Sequence, residues 1–468
     1  MKLSRIILSL AAGSLLFASA CSEVATKSAR PNVVLISIDS LRSDHLGCYG
    51  YERNTSPTID RLAGEGARFA NALSTTSWTL PAHASMFTGL LNQSHGVIGD
   101  NRYLVDEHVT LAEVLRDGGY QTAGFYGAPY LHPTFGMDQG FDAYESSGVG
   151  WRDIAEEDFR EKTSKGQVES GSDITGPRTV AAVAGWLENL DEGPFFLFVH
   201  LWDVHFDYNP PEHYVELFDP DYAGDLDASG LHGNPSVHAG MDPRDLEHLI
   251  ALYDGEIRFT DDSLDQILKL PGLSDRLDNT ILIVTADHGE EFFEHGHKDH
   301  RNSLFDEVLR IPLIVRWPGH ITSGRVVKDQ VQIVDIFPTL LSMAGIEIPV
   351  AVQGRDLSGL LAGETLEPVD ALSQLGGQLV ALRTNEYKLI QRRERAVEFR
   401  LERDPGELAP LAPREHARER LAHAVAEAVA FRGGMGARAV PPRKEKLAPE
   451  IREQLRSLGY IEGSEADR

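Results

Sequence analysis

The stretch PNVVLISIDSLRSDHLGCYGY, residues 31–51, indicates the fold of this chain more clearly than any other segment. Residues 33–38 form an apolar and largely β-branched run, which is typical of a parallel strand buried on both faces. Asp39 follows this run directly. Two comparable runs occur later, FFLFV at residues 195–199 and TILIVT at residues 280–285. Because helical patterns separate the runs, we predict an α/β fold with a mostly parallel sheet sandwiched by helices.

Helix signals support this alternation of strands and helices. Thr110 and Glu113 form a capping box at the start of a segment with helical periodicity, and residues 246–270 indicate a long helix. Further helices are predicted after Ser56-Pro57 and at residues 178–190, and further strands at residues 122–126 and 313–316.

The pattern of the chain changes near residue 372. Residues 379–391 indicate a β-hairpin, and an Ala-, Arg- and Glu-rich helix is predicted at residues 414–431. We therefore predict a catalytic domain at residues 31–370 and a smaller C-terminal α+β domain at residues 371–468. Polar insertions are predicted at residues 146–176 and 219–244.

The N-terminal residues predict export. Residues 1–21 combine basic residues, an apolar run and Cys21, as in a secretory signal peptide, and the run is too short for a stable transmembrane helix. The sequence ASAC at residues 18–21 resembles a bacterial lipoprotein cleavage site, although Ala18 stands where such sites usually have Leu. The alternative is an ordinary signal peptide. Residues 22–30 are expected to form a tether, which predicts a periplasmic or outer-envelope protein whose membrane contact is only an N-terminal lipid.

The composition excludes several classes of protein. Among 468 residues, 71 Asp and Glu outnumber 44 Lys and Arg, which gives a net charge of −27. Such a charge repels nucleic acid, whereas an anionic substrate can still bind where metal cations dominate the local field. The two cysteines, Cys21 and Cys48, cannot provide a disulfide framework.

Polar groups follow each of the three buried runs. The first run is followed by Asp39, the second by two histidines and an aspartate, and the third by Asp287 and His288. Because the carboxyl ends of parallel strands share one edge of a sheet, we expect these groups to gather there. Alone, each would more often be a helix cap or a solvated loop residue, but together they suit a divalent cation. The second group comprises His200, Asp203 and His205.

The segment SWTLPAHASMFTG, residues 77–89, holds a candidate nucleophile. Pro81 is predicted to begin a helix, which places Thr79 just before its N-terminus. Backbone N–H groups and the helix dipole favour negative charge there, so a phosphate or sulfate group and a threonine alkoxide would both be stabilised. The alternative is a threonine that only caps the helix.

The segment after residue 288 is rich in acidic residues and histidine. We expect His295 and His297 to be solvated loop residues. Glu290 and Glu291 are expected to be charges at the start of a helix.

These motifs, in this order, resemble the sulfatase-like branch of the alkaline phosphatase superfamily. The resemblance covers nearly all of the chain after residue 30. Beyond the two segments already quoted, it includes FVHLWDVHFDY at residues 198–208, VTADHGEEFFEHG at residues 284–296 and LRIPLIVRWPG at residues 309–319.

Four positions depart from the sulfatase pattern. Sulfatases carry a Cys or Ser that is oxidised to formylglycine where this chain has Thr79, and threonine is not converted by that route. His83 replaces an Arg, Ser40 replaces a second Asp, and His288 replaces an Asn. These departures resemble the members with a threonine nucleophile, which include nucleotide phosphodiesterases, phosphoethanolamine transferases and lipoteichoic acid synthases.

The resemblance implies a role for each candidate residue. Zinc or manganese is the favoured divalent metal, with calcium and magnesium as alternatives, and Thr79 would be both a ligand and the nucleophile. A packing salt bridge is the alternative for Arg42, and His205 and His300 match positions that can also hold a second metal. The implied metal ligands are Asp39, Thr79, Asp287 and His288; the catalytic histidines are His83, His205 and His300; the substrate-binding residues are Arg42, His205 and His300.

The predicted function is hydrolysis of a phosphate or sulfate ester through Thr79, with a phosphoester favoured. One alternative is a sulfuric ester hydrolase proper. A second is a phospho-headgroup transferase, which the lack of a multi-span membrane segment in the sequence disfavours. A third, from a different class, is an inactive lipoprotein that binds a glycan or a partner.

Overall fold

The structure, a computed structural model, describes residues 30–147, 174–434 and 447–457. The predicted signal segment and most of the predicted insertion at residues 146–176 lie outside the described residues. The strands are β1 (Asn32–Ile38), β2 (Ala67–Leu73), β3 (Gln121–Tyr126), β4 (Ala143–Ser146), β5 (Phe195–Leu201), β6 (Thr280–Ala286), β7 (Glu291–Phe292), β8 (Lys298–Asp299), β9 (Arg310–Ile311), β10 (Leu313–Arg316), β11 (Arg325–Gln332), β12 (Ala371–Leu375), β13 (Leu379–Arg383), β14 (Tyr387–Arg392) and β15 (Arg395–Arg400). The helices are α1 (Pro57–Glu65), α2 (Thr79–Thr88), α3 (Asn92–His95), α4 (Leu111–Asp117), α5 (Gly176–Leu187), α6 (Glu212–Phe218), α7 (Pro243–Leu268), α8 (Asp306–Leu309), α9 (Ile336–Met343), α10 (Ser358–Ala362), α11 (Glu415–Gly434) and α12 (Pro449–Ser457).

One large sheet forms the centre of the molecule. In the described part of the chain its strand order is β11-β2-β10-β6-β1-β5-β3-β4, with β9 beside β2. Strand β1 lies between β5 and β6 and runs parallel to both. Strands β9 and β10 run antiparallel to their neighbours, so the sheet is mixed but mostly parallel. Every residue of β1, β5 and β6 is buried, as apolar runs covered on both faces require, and the predicted α/β fold is confirmed.

Two helices show how the sequence fixes helix ends. Helix α4 begins at the predicted capping box: the Thr110 hydroxyl accepts the Glu113 N–H at 3.2 Å, and the Glu113 carboxylate accepts the Thr110 N–H at 2.8 Å. Helix α1 is capped instead from a distant helix. Asp261 of α7 accepts the N–H groups of Thr58 and Ile59 at 2.8 and 2.9 Å, which satisfies donors that a helix leaves unpaired.

The predicted hairpin is confirmed as β13 and β14 of a small antiparallel sheet that also contains β12 and β15. Helix α11 packs against this sheet through Ala417 and Leu421. The buried Lys388 of β14 bonds Asp306 of α8 at 2.8 Å, which joins the small sheet to the part of the chain that forms the large sheet. The small sheet begins at Ala371, and the division of the chain into domains near residue 370 stays a prediction. Among the described residues, no helix combines the length and the apolarity that a membrane span needs.

Candidate active site

The carboxyl ends of β1, β5 and β6 meet at one edge of the large sheet. Asp39 directly follows β1, Asp287 directly follows β6, and His200 is the second-to-last residue of β5. All three side chains are completely buried. His200 Nε2 lies 3.2 Å from Asp39 Oδ2. The structure therefore brings together polar groups that stand far apart in the sequence.

Asp39, Asp287 and His288 form a compact group of donor atoms. One donor atom from each residue lies within 4.8 Å of the other two. Asp287 Oδ1 accepts the N–H groups of Ser40 and His288 at 3.2 and 2.9 Å, whereas its buried Oδ2 has no hydrogen-bond partner. His288 Nδ1 donates to Gly289 O at 2.9 Å, which leaves the Nε2 lone pair toward the carboxylates. An unpartnered carboxylate oxygen beside an imidazole lone pair fits a divalent cation.

The electrostatics of this edge also fit a cation. Burial raises the pKa of Asp287, and the nearby Asp39 carboxylate raises it further. Burial lowers the pKa of His83 and of His200 to about 4, so neither ring carries a charge at neutral pH. Two buried carboxylates without a cationic side chain between them are costly, and a bound cation would offset that cost.

Thr79 is the first residue of α2, and Trp78 precedes it as the N-cap. The prediction that this helix begins at Pro81 was wrong by about half a turn, because Trp78 O already accepts the first helical hydrogen bond. Thr79 Oγ1 lies 3.3 Å from His288 Nε2 and 3.5 Å from Asp39 Oδ2. The hydroxyl is thus both at a helix N-terminus and beside the donor group.

His83 lies one turn further along α2 and contacts β1. Its Nδ1 donates to Thr79 O at 2.9 Å, and its Nε2 lies 3.0 Å from Ser37 Oγ. Its Nδ1 is also 3.8 Å from Asp287 Oδ2. Because both ring nitrogens are engaged, the geometry suits a residue that positions Thr79 better than one that transfers a proton.

His205 and His300 lie next to the donor group. Their ring centroids are 4.9 Å apart, and the His300 ring is 4.4 Å from that of His288. His205 Nδ1 donates to Phe206 O at 2.7 Å, and His300 Nδ1 faces the Glu290 carboxylate at 3.3 Å. Burial lowers the pKa of His300 well below its ordinary value and that of His205 to about 4. Neutral rings protonated at Nδ1 suit metal ligation better than general-acid catalysis.

The segment after His288 differs from the prediction. Glu290 and Glu291 do not begin a helix; Glu291 starts the short strand β7, and both carboxylates are buried. His295 bonds Glu307 and is not a solvated loop residue, whereas His297 is exposed as predicted. The physical reason is that this segment packs under α8, where Glu307 O accepts the Glu290 N–H at 3.2 Å.

Arg42 and Asp203 make structural contacts. The Arg42 guanidinium bonds Asp44 through Nε and Nη2 at 3.0 and 2.8 Å, and its Nη1 donates to Glu290 O at 3.1 Å. These contacts correspond to the packing salt bridge that was the alternative interpretation of Arg42. Asp203 accepts the Thr175 N–H before α5, so it acts as a helix cap.

The sequence placed His200 among the polar groups expected at this edge of the sheet, whereas the resemblance to the family implied no individual role for it. It belongs, with His83 and Asp287, to a second group whose donor atoms lie within 4.8 Å of one another. Its buried Nδ1 has no hydrogen-bond partner. His200 is therefore a further candidate for the metal site.

A mixed α/β sheet that gathers these donors around a threonine hydroxyl defines a class, the ester hydrolases of the alkaline phosphatase superfamily. The chain belongs to the sulfatase family within this class, because the family model described as sulfatase matches residues 31–346. A second model, described as the C-terminal part of N-sulphoglucosamine sulphohydrolase, matches residues 293–429.

The chain is similar to several curated relatives. The ulvan-active sulfatase of Formosa agariphila is 27% identical over 344 residues, which cover 71% of this chain and 65% of that relative. The arylsulfatase of Clostridium perfringens is 25% identical over 448 residues, with 84% of this chain and 92% of the relative covered. A multifunctional alkaline phosphatase superfamily protein of Trinickia caryophylli is 27% identical over 406 residues, with 71% and 77% covered.

Solved structures share the fold. The phosphonate monoester hydrolase of Agrobacterium radiobacter has a TM-score of 0.68 and 22% identity, and the match covers 87% of this chain and 96% of that structure. A protein solved with its substrate D-glucosamine-2-N,6-O-disulfate also has a TM-score of 0.68, with 19% identity and coverage of 89% and 100%.

These comparisons bear on the predicted chemistry. Sulfatase names dominate among the relatives, so they support the alternative of a sulfuric ester hydrolase better than the phosphoester hydrolase that the sequence favoured. The sulfatase family is metal-dependent, and the donor group fits a metal. Zinc or manganese stays a prediction.

Proposed function

We propose that this chain hydrolyses an ester of sulfuric or phosphoric acid, with the Thr79 hydroxyl as the nucleophile. The observation that carries the proposal is the position of Thr79 Oγ1, 3.3 Å from His288 Nε2 and 3.5 Å from Asp39 Oδ2, at the first residue of α2. A threonine that only capped the helix would be its N-cap, with its oxygen on a backbone N–H group; Thr79 instead follows the N-cap Trp78, and its oxygen contacts Asp39 and His288.

The surroundings of Thr79 suit an anionic substrate. The first N–H groups of a helix have no acceptor within it, so the start of α2 can bind the anionic oxygens of the ester. A divalent cation held by Asp39, Asp287 and His288 would lower the pKa of the Thr79 hydroxyl and neutralise charge on the ester. His83 holds the Thr79 carbonyl and thereby fixes the first turn of the helix.

The reaction takes place in two steps. The Thr79 oxygen first bonds to sulfur or phosphorus while the bond to the alcohol oxygen of the substrate breaks. The Thr79 proton passes to a base, for which Asp39 Oδ2 is within reach at 3.5 Å, and from the base through water to the departing alcohol oxygen. Water then attacks the Thr79 ester and restores the hydroxyl. Substrate and one water become an alcohol and the corresponding acid, which is sulfate, phosphate, a phosphate monoester or a phosphonate according to the substrate.

Sulfuric esters of sugars are the first substrate class. The relatives include an ulvan-active sulfatase and an N-acetylglucosamine-6-O-sulfatase of Bacteroides thetaiotaomicron, which is 26% identical over 440 residues. A structural neighbour was solved with a disulfated glucosamine. The net charge of −27 does not oppose such a substrate if a cation dominates the local field.

Phosphate and phosphonate esters are the second candidate, and Thr79 itself favours them. The transferred sulfate or phosphate group would be joined to Thr79 through its single side-chain oxygen, and threonine has no second hydroxyl that could expel the group. Release of the group therefore needs attack by water at sulfur or phosphorus. The similarity to a phosphonate monoester hydrolase structure and to a multifunctional superfamily protein supports this candidate.

A panel of substrates tests the proposal and separates the two candidates. The purified chain, loaded in turn with zinc, manganese, calcium and magnesium, is assayed with an aryl sulfate, a sulfated glucosamine, aryl phosphate mono- and diesters, and a phosphonate ester. We expect turnover of at least one class, and the class with the highest kcat/KM identifies the reaction. A folded, metal-loaded chain that turned over none of these esters would contradict the proposal and favour a binding protein.

A further inference from the structure

We propose that Glu291, His295 and Glu307 form a second site for a divalent cation, which stabilises the structure and is separate from the catalytic donor group. One donor atom from each of these residues lies within 4.8 Å of the other two. None of the three is among the catalytic candidates, so the proposal does not depend on the proposed function.

Glu291 provides the first observation. Its side chain is 1% exposed, and neither carboxylate oxygen has a hydrogen-bond partner. Burial and the charge of Glu307 together raise its pKa to about 8, although the nearby Ser303 hydroxyl lowers it. A buried carboxylate without partners is costly unless a proton or a cation neutralises it.

His295 provides an independent observation. Its Nε2 donates to Glu407 O at 3.1 Å, and its Nδ1 contacts Glu307 Oε1. Stacking on Phe305, with ring centroids 3.5 Å apart, holds the ring in this orientation. Histidines that bind metals usually donate their other ring N–H to a carbonyl or a carboxylate, and the bond to Glu407 O is of this kind.

The charges at this cluster balance a divalent cation. Two carboxylates and a neutral imidazole carry a charge of −2 when Glu291 is ionised. Without metal, one proton neutralises Glu291, and, although burial opposes it, the hydrogen bond to Glu307 and the charge of Glu307 together raise the pKa of His295 and favour a second proton there. A cation would replace both protons, so each ion bound releases about two protons. One nitrogen and two carboxylate ligands suit zinc or manganese, with water completing the coordination.

The position of the cluster gives the cation a structural role. Glu291 lies in β7 and His295 follows it, shortly after the candidate metal ligand His288, and Glu307 lies in α8. His295 also holds the carbonyl of Glu407, which follows the small C-terminal sheet. A cation at this point would tie the catalytic loop to the C-terminal part of the chain.

Metal stoichiometry tests the proposal on the full chain. The catalytic donor group is first disabled by Asp287→Asn, and zinc bound per chain is then measured by elemental analysis after chelation and reloading. We expect Asp287→Asn to keep a zinc ion that Glu291→Gln removes in the same background. Gln has the shape of a protonated Glu, so Glu291→Gln should fold, and Glu307→Gln provides a second variant. The exposed Glu386→Gln is the matched control.

Thermal unfolding gives a second readout in the same proteins. Added zinc should raise the melting temperature of Asp287→Asn and of its Glu386→Gln derivative, but not of the Glu291→Gln or Glu307→Gln derivatives. If all of these proteins bind the same amount of zinc and shift equally, the cluster holds protons only and the proposal is wrong. Loss of turnover, by contrast, concerns only the proposed function, because no step of this test uses a substrate.

Discussion

Among single residues, substitution of Thr79 should affect turnover most directly, because the proposed bond to substrate forms at its oxygen. Thr79→Ala should lower kcat by at least ~10³-fold, the usual loss for a covalent nucleophile that acts together with its site. Thr79→Ser should keep part of the activity because the hydroxyl survives. Both variants are assayed on the best substrate of the wild type, with metal content measured alongside. Near-normal turnover by Thr79→Ala would make a water molecule the nucleophile and contradict the covalent mechanism.

Asp287 carries the prediction for the metal. Its Oδ2 is buried without a hydrogen-bond partner, so the metal is the expected partner of this atom. Asp287→Ala should abolish turnover and lower the metal content of the purified chain while the fold is retained. Circular dichroism checks the fold, and elemental analysis measures the metal. A metal content equal to that of a chain with both sites intact would sink the assignment of Asp287 as a ligand.

The residues of the site differ in how far the sequence could predict them. Asp39 and Asp287 each follow a buried apolar run directly, so local pattern placed them at the edge of the sheet. Glu291 and His295 were misjudged because their environment comes from Glu307, in a separate helix, and, for His295, from Glu407, which is 112 residues away in the sequence. A residue whose partner lies far along the chain carries no local signal of its burial.

At the scale of helices and strands, the long-range cap of α1 predicts a pH dependence of stability. Burial raises the pKa of Asp261 to about 6, although the N–H groups of Thr58 and Ile59 lower it. The folded protein therefore keeps a proton on Asp261 that the unfolded chain, with a pKa of about 3.9, has lost. The stability that this group contributes is present below pH ~4 and is lost as the pH rises to ~6, at up to ~1.4 kcal/mol per pH unit.

The variant Asp261→Asn tests this pH dependence, because Asn does not titrate. The free energy of unfolding of the wild type minus that of Asp261→Asn should decrease between pH ~4 and ~6 and stay level above that range. Urea unfolding at several pH values measures the difference. Asp265→Asn, at the surface of the same helix, controls for the loss of a charge. A difference that does not change with pH would contradict the raised pKa.

A buried ion pair between two elements gives the next prediction. Lys388 of β14 is completely buried and bonds Asp306 at 2.8 Å and Glu407 at 3.0 Å. Although burial opposes it, the charge of Lys388 holds the pKa of Asp306 well below its ordinary value. Lys388→Met leaves the buried Glu407 without its cation and leaves Asp306 with Arg383 alone, so it should lower the free energy of unfolding by about 3–5 kcal/mol.

Denaturant unfolding measures this loss, and the chain offers a matched control. Lys269→Met removes the ion pair between Lys269, whose side chain is 74% exposed, and Asp265. This variant should change the free energy of unfolding by less than about 1 kcal/mol. Equal losses in the two variants would show that burial of Lys388 does not matter for stability.

Local pattern predicted the elements unevenly. Apolar runs were sufficient to predict β1, β5, β6 and β10, and the capping box was sufficient to predict the start of α4. Strands β2 and β11 were missed because their sequences, ARFANAL and RVVKDQVQ, mix small, polar and charged residues. The antiparallel direction of β10 was also missed, since a short apolar run does not encode the direction of its partner.

At the scale of the whole molecule, the acidic charge and the buried donors together limit the substrate. A net charge of −27 disfavours binding of long polyanions, because most of their length would contact the acidic protein away from any bound cation. A single sulfate or phosphate group at the carboxyl edge of the sheet meets the helix N-terminus and the proposed metal instead. We therefore expect rates on small anionic esters to be higher than rates on long sulfated chains at low ionic strength.

The N-terminal residues predict the location of the whole chain. We propose that the protein is exported and carries lipid on Cys21, because basic residues, an apolar run and the sequence ASAC precede the small, polar residues 22–30. Expressed in a bacterium, the wild type should be found in the membrane fraction facing the periplasm, and mass spectrometry should find acylated Cys21 at its N-terminus. Cys21→Ser should release the protein into the soluble periplasmic fraction with its activity unchanged, because Cys21 lies outside the catalytic segments. An unmodified Cys21, or cleavage at another residue, would contradict lipidation while leaving secretion possible, and retention of the whole chain inside the cell would contradict export itself.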